Sequence, residues 1–236
     1  MRRHRWFAVD WPFSMDILAK RLKTKAFQSE LTDGFVLDRV RDEFVEARFV
    51  ERIEYDDTVT DPFGAEVVFH RVEYRQCEFR ATKDGPGLEL LDAPRSIQTM
   101  VSRLLEISDF SLAINPVSVD VLAWAVAVQK HLSTPGMVDS LQISDLSLNL
   151  GITVNAVVKG SSDVLEATTI LIGGRKHTIE KLQLTLPGAK QSRMILTNAA
   201  GVKLHKGAPD QVLDAIRLAL RNLILRSNKK PISRFA

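Results

Sequence analysis

Groups that could do covalent or metal chemistry are few and scattered in this chain of 236 residues. Its one cysteine, Cys77, lies seven residues from His70 in a stretch that reads as a single strand, Val67 to Thr82. Side chains alternate between the faces of a strand, so an odd separation places the two on opposite sides and disfavours a Cys–His nucleophile. Asp56, Asp57 and Asp61 fall in an expected turn, Asp56 to Gly64, where three carboxylates could hold a hard cation. Their spacing does not follow the ligand series of a calcium loop, and Asp is frequent in turns for its own hydrogen-bonding reasons. Gly173-Gly174 alone is no phosphate cradle, and the histidines at 4, 70, 131, 177 and 205 show no metal-ligand spacing. No catalytic residue, metal or cofactor is assigned, and the reading leans away from an enzyme.

Two Ser-x-Asp pairs, Ser14-x-Asp16 and Ser118-x-Asp120, have a structural explanation. Each sits in a repeated stretch, Pro12-Phe13-Ser14-Met15-Asp16-Ile17-Leu18-Ala19 and Pro116-Val117-Ser118-Val119-Asp120-Val121-Leu122-Ala123. Both copies follow an apolar run that reads as a strand. Proline stops the ladder, serine is placed to cap a helix, and aspartate falls in the first turn where the helix dipole favours it.

A second pair of echoes closes each half. Gly87-Leu88-Glu89-Leu90 leads to Pro94, and Gly201-Val202-Lys203-Leu204 leads to Pro209. Beyond each proline, apolar residues recur at helical spacing: Ile97, Val101 and Leu105 in one, Val212, Ile216 and Leu220 in the other. The expected fold is α+β with an internally duplicated unit: strand, helix, several antiparallel strands, long helix. The two repeats, residues 5–108 and 109–227, would be related by a pseudo-two-fold axis, with helices on one face of the sheet and a basic tail at 228–236. This element order resembles the saddle of TATA-binding-protein-like folds and the duplicated sheet-plus-helix build of sliding clamps. The likeness is one of order alone and carries no residue across.

Between the echoes, Met1 to Arg5 is a basic lead-in, Trp6 to Asp10 a strand and Ser14 to Lys23 a helix. Glu43 to Tyr55 alternates as a half-buried strand, with Glu51 out of place on its apolar face, a sign of a bulge or a strand edge. In the next strand Val68, Val72 and Tyr74 share one parity and Cys77, Phe79 and Ala81 the other, which predicts a bulge near Arg75-Gln76. Residues 161–171 fit helix or strand equally. His177 to Leu186 and Arg193 to Asn198 form a hairpin, and Asp210 to Arg226 the closing helix.

Hydrophobic residues make up 45% of the chain, enough for a sizeable core, yet no run approaches the roughly 20 residues of a membrane span. One cysteine excludes an intramolecular disulfide and fits a reducing, cytoplasmic setting. The net charge of +3 is uneven. Residues 1–108 hold 17 basic and 20 acidic side chains, whereas 109–236 hold 15 and 9. Such polarity suits head-to-tail association or an acidic partner. Arg175, Lys176, Lys190, Arg193, Lys203 and Lys206, with Lys181, face a single acid, Glu180, between 175 and 206. They are the candidate nucleic-acid or polyanion site, expected to converge at one end of the sheet. The helix from Val119 to Val128 is apolar nearly all round, so Trp124 and Val128 are expected at an interface between repeats or with another chain. The function expected is that of a non-catalytic interaction protein or complex subunit, with a protein partner or a second copy. The alternative is nucleic-acid binding by the basic second repeat.

Overall fold

A computed structural model describes residues 1–149, 151–187 and 192–228. Its elements, in order, are β1 (Arg2–Val9), α1 (Met15–Thr24), β2 (Asp33–Val40), β3 (Phe44–Thr60), β4 (Glu66–Thr82), β5 (Gly87–Leu91) and α2 (Gln98–Ile107). There follow β6 (Ile114–Pro116), α3 (Val121–Leu132), β7 (Met137–Asn149), β8 (Ile152–Lys159) and α4 (Leu165–Ile172). The last are β9 (Thr178–Leu186), β10 (Ser192–Thr197), β11 (Gly201–Leu204) and α5 (Asp210–Asn228). The fold is mixed α+β, with antiparallel pairing and five helices among the described residues. None of these helices is long and apolar enough to cross a membrane.

The chain divides into two compact units. One comprises Val9–Lys83 and Leu90–Ile114; the other comprises Met1–Ala8, Asp84–Glu89 and the chain from Asn115 onward.

In the first unit β3 pairs with β2 on one side and β4 on the other, all antiparallel. α1 starts where the sequence places it: Ser14 accepts a hydrogen bond from the Ile17 amide at 3.4 Å. Its apolar spacing buries Met15, Leu18 and Leu22, and it packs on β2 and β3. The inner side chains of the strands are Phe35, Val45, Ala47, Phe49, Cys77, Phe79 and Ala81, all buried. Phe35 lies 5.1 Å from Phe49 and 5.9 Å from Phe79, ring centre to ring centre. Arg103 of α2 ties that helix to β2 through Asp33, with Nε donating at 2.7 Å and Nη2 at 3.0 Å.

In the second unit the strand order is β5-β1-β11-β10-β9-β7-β8. Alternation points Trp6, Val202, Leu204, Met194, Leu196, Leu182 and Leu184 inward, and Val138 and Leu141 join them across a register shift in β7. These merge with Val121, Trp124 and Val128 of α3 and Val212, Ile216 and Leu220 of α5 into one core. The helices therefore cover one face of this sheet; the other is open from β1 to β8, whereas β5 is buried on both faces. Trp124 is fully buried; its ring meets Trp6 edge-on at 5.8 Å and its Nε1 donates to the Ile216 carbonyl at 3.2 Å.

Several local expectations need correction. The basic lead-in is not separate from the sheet: Arg2 to Arg5 form the first half of β1, because the buried His4 and Trp6 fix its inward register. Asp120, not Ser118, caps α3, accepting from the Ala123 amide at 3.0 Å, so this helix starts two positions later than the echo implies. Pro209 directly precedes α5, but α2 begins four residues after Pro94. Residues 165–172 are helical, with Asp163 accepting from the Leu165 amide at 2.9 Å. The tail at 229–236 lies outside the described residues.

Candidate functional site

β3 and β4 pair over 17 residues each without a register shift. The expected bulge near Arg75-Gln76 is absent from this pairing, and the expected turn at Asp56 to Gly64 is strand as far as Thr60. The parity change has another cause: the strands outrun the core. β2 pairs with β3 only as far as Glu51, which stands at the rim of the core rather than in a bulge. Nine further pairs, Arg52–Tyr74 to Thr60–Glu66, continue beyond it, a length of about 30 Å.

This outer ribbon is wet on both faces. Every residue from Glu66 to Gln76 is exposed. Ile53, Tyr55, Val59, Val67 and Phe69 extend the face that carries Phe49 and Cys77 in the core; Val68, Val72 and Tyr74 lie on the reverse. Phe69 is 50% exposed, and Phe63 at the tip is 94% exposed. β-branched and aromatic residues favour strand here, but a two-stranded hairpin without further cover is marginal in water. The turn is built by Asp61, whose Oδ1 accepts from the amides of Phe63 and Ala65, both at 2.8 Å. Asp56 lies 3.0 Å from His70, and Asp57 lies 3.2 Å from Arg71. The three candidate cation ligands thus have other partners, and no metal-holding group occurs among the described residues. From Arg52 to Tyr74 two basic side chains face six acidic ones, a balance of −4.

Cys77 is buried in the core, opposite Phe49, with His70 on the reverse face of the ribbon. Burial, and then the nearby Glu51 and Glu78 carboxylates, push its thiol up to about 12. Such a thiol carries no nucleophilic thiolate at neutral pH.

The open face of the second unit's sheet is basic. One row across it runs Arg3, Lys203, Ile195, Gln183; the next runs Arg5, Gly201, Thr197, Lys181. Arg193 lies one step further along β10. Arg3, Arg5, Lys181, Arg193 and Lys203 are all exposed. Two acids share the face. Asp139, at a register shift in β7, accepts from Gln183 Nε2 at 2.6 Å and Thr185 Oγ1 at 2.9 Å, with Arg193 at 3.6 Å. Glu180 accepts from Gln142 Nε2 at 2.7 Å. The Arg5 guanidinium lies 5.0 Å from the Phe7 ring centre, a cation–π contact.

Of the six residues singled out in the sequence, the five that are described do not converge at one end. Arg193 and Lys203 belong to the open face. Arg175 and Lys176 precede β9, and Arg175 is committed to the carbonyls of Leu171 and Ile172 at the end of α4. Lys206 follows β11, at the opposite end of the sheet, because β9 and β11 run the same way, both antiparallel to β10. Lys190 lies outside the described residues. Lys181, named with them in the sequence, also lies on this face; Arg3 and Arg5 were missed as neighbours of Lys203, and alternation with the buried His4 and Trp6 was the signal for them. Trp124 and Val128 point into their own unit's core. The outward side of α3 instead shows Val126, 63% exposed, beside a shallow groove lined by Ala127 and Leu223.

A cleft at the start of α3 brings Ser118, Asp120, His177 and Asn198 together. It does not form a triad. Asp120 is occupied as the helix cap, and His177 Nδ1 lies 2.7 Å from the Arg175 carbonyl. No hydrogen bond joins Ser118, Asp120 and His177 among the described residues.

No known family model matches the chain, and no curated protein is similar to it at a significant level.

Proposed function

We propose that this chain is a non-catalytic interaction protein, a subunit of a larger assembly, and that the outer β3–β4 ribbon is its contact. The observation that carries this reading is the run of exposed Tyr55, Val59, Val68, Phe69 and Val72 on the outer strands, with Phe63 at their turn and Tyr74, edge-on to Phe27, at their base. Clustered exposed apolar groups rimmed by charge mark contact surfaces, and open strand edges invite pairing. Replacing residues 54–72 by Asn-Gly closes a short hairpin from Ile53 to Glu73. The shortened chain keeps its fold by circular dichroism but leaves the native assembly when nuclease-treated extract is separated by size. If it remains in the assembly, the ribbon is not the contact.

A second reading rests on the open basic face: it binds a polyanion such as nucleic acid. Four phosphate contacts by Arg5, Lys181, Arg193 and Lys203 would give log K against log salt a slope near −3.6, from about −0.9 per contact on duplex DNA. No binding at low salt rejects it.

We further propose that residues 5–108 and 109–227 arose by duplication. The support is the shared order of strand, capped helix, antiparallel strands and closing helix. Superposition of an experimental structure's two halves tests it; unrelated strand orders would reject it.

A further inference from the structure

The acidic ribbon and the basic sheet face are complementary in one chain. We infer that the β3–β4 ribbon of one copy docks on the open sheet face of a second copy, head to tail. This rests on the interaction reading above and names the partner.

Charge selects this occupant. The ribbon carries a balance of −4 from Arg52 to Tyr74, so two ribbons laid against each other repel. The open face presents Arg3, Arg5, Lys181, Arg193 and Lys203 against Asp139 and Glu180, whose carboxylates already accept amide and hydroxyl hydrogen bonds. Ribbon and face are each exposed in the single chain, so a second copy can supply the cover. Phe7, Ile195 and Val157 add apolar surface to the face for the ribbon's aromatic residues to meet. A contact between two different surfaces is heterologous: it closes into a ring or continues as a filament, and it need not stop at a dimer.

The test is the mass of the purified full chain by light scattering, at up to about 100 μM, where a micromolar contact is saturated. Mass is expected to rise with concentration and to fall back as salt rises, since screening weakens a charge-matched contact. The double variant Asp56→Lys with Asp57→Lys covers both ribbon faces, because adjacent strand residues point opposite ways. It should be monomeric. So should Arg5→Glu with Lys203→Glu on the sheet face. Mixing the two variants should restore association, since each then meets a surface of opposite sign. Should either pair of reversals unfold the chain, the milder changes at the same sites, Asp56→Asn with Asp57→Asn or Arg5→Gln with Lys203→Gln, should weaken self-association at least tenfold.

A wild-type chain that is monomeric at every concentration and salt overturns this inference. The interaction reading then stands or falls separately on the shortened ribbon in extract. Reversals that leave the mass unchanged, or a mixture that stays monomeric, also overturn it. Loss of DNA binding by the Arg5/Lys203 variant with self-association intact would overturn it in favour of nucleic acid on that face.

Discussion

Glu51 of β3 stands directly opposite Arg75 of β4, on the face that holds Phe49 opposite Cys77 two residues further in. Inward of this pair the strands belong to a packed sheet; the next pair, Arg52 and Tyr74, still meets the Thr32 carbonyl and the Phe27 ring, and beyond it the strands run on as a two-stranded ribbon. The pair marks where a core becomes a ribbon.

That boundary should appear in hydrogen exchange. Amides of Val45 to Val50 and Cys77 to Ala81 lie over the buried core and should open only with global unfolding. Amides of Ile53 to Tyr74 belong to an uncovered two-stranded hairpin and should exchange by local fraying, orders of magnitude faster. Exchange of the purified chain, followed by peptide mass, checks this at a dilution where it is monomeric. Equal protection on both sides of Glu51–Arg75 would mean that the ribbon is covered.

Cys77 gives a second check on the same register. Its thiol is pushed up to about 12, mainly by burial and then by the Glu51 and Glu78 carboxylates. At pH 8 the native protein should resist alkylating reagents, and should react fully once unfolded in guanidinium. A folded chain that is labelled promptly would place Cys77 outside the core.

Alternation and caps were readable in the sequence wherever a strand or helix keeps one face on a core. Ser14, the hairpin of β9 and β10, and the inward set of the closing helix are examples. Legibility fails where an element leaves its core. Val68, Val72 and Tyr74 broke parity with Cys77 and Phe79 because they face water, a circumstance that a hydrophobic pattern cannot separate from a bulge. The basic face was legible only in part. Lys203 and Arg193 are near in sequence, but Arg3 and Arg5 join them through the pairing of β1 with β11, across about 200 residues of chain.

Trp124 sits at the centre of the second unit's core, against Trp6 and under α5. Trp124→Ala removes the largest buried side chain of α3 and should cost about 3–5 kcal/mol. Trp124→Lys, which copies the charge of Lys20 at the matching place in the first echo, strands an ammonium in the core and should cost at least as much. Urea unfolding followed by tryptophan fluorescence reads both as a lowered midpoint. An unchanged midpoint for Trp124→Lys would show that this side chain reaches solvent.

The final prediction concerns a buried ionic cluster in the second unit. Glu89 of β5 accepts from Arg217 of α5, Nε at 2.8 Å and Nη2 at 3.1 Å, and its Oε1 lies 2.7 Å from His4 Nδ1 on β1. Glu89 and His4 are each 3% exposed. Burial pushes the Glu89 carboxyl up, but the hydrogen bond from His4 and the charge of Arg217 outweigh it and hold the group below its ordinary value. A carboxylate depressed in the folded state stabilises the fold above its unfolded value of about 4.3, and that contribution is lost as pH falls through the lower folded value. Glu89→Gln keeps the shape but leaves Arg217 with only the exposed Asp214, at 3.4 Å, as a charged partner. Breaking a buried pair costs about 3–5 kcal/mol, and the lower end applies here because the Arg217 side chain retains 24% exposure. At pH 7 the variant should therefore unfold at clearly lower urea than the wild type. Below about pH 4 the wild type loses the Glu89 contribution and the variant has none to lose, so the gap between their midpoints should narrow. A gap that is constant from pH 7 to acid would show that ionisation of Glu89 contributes nothing to stability.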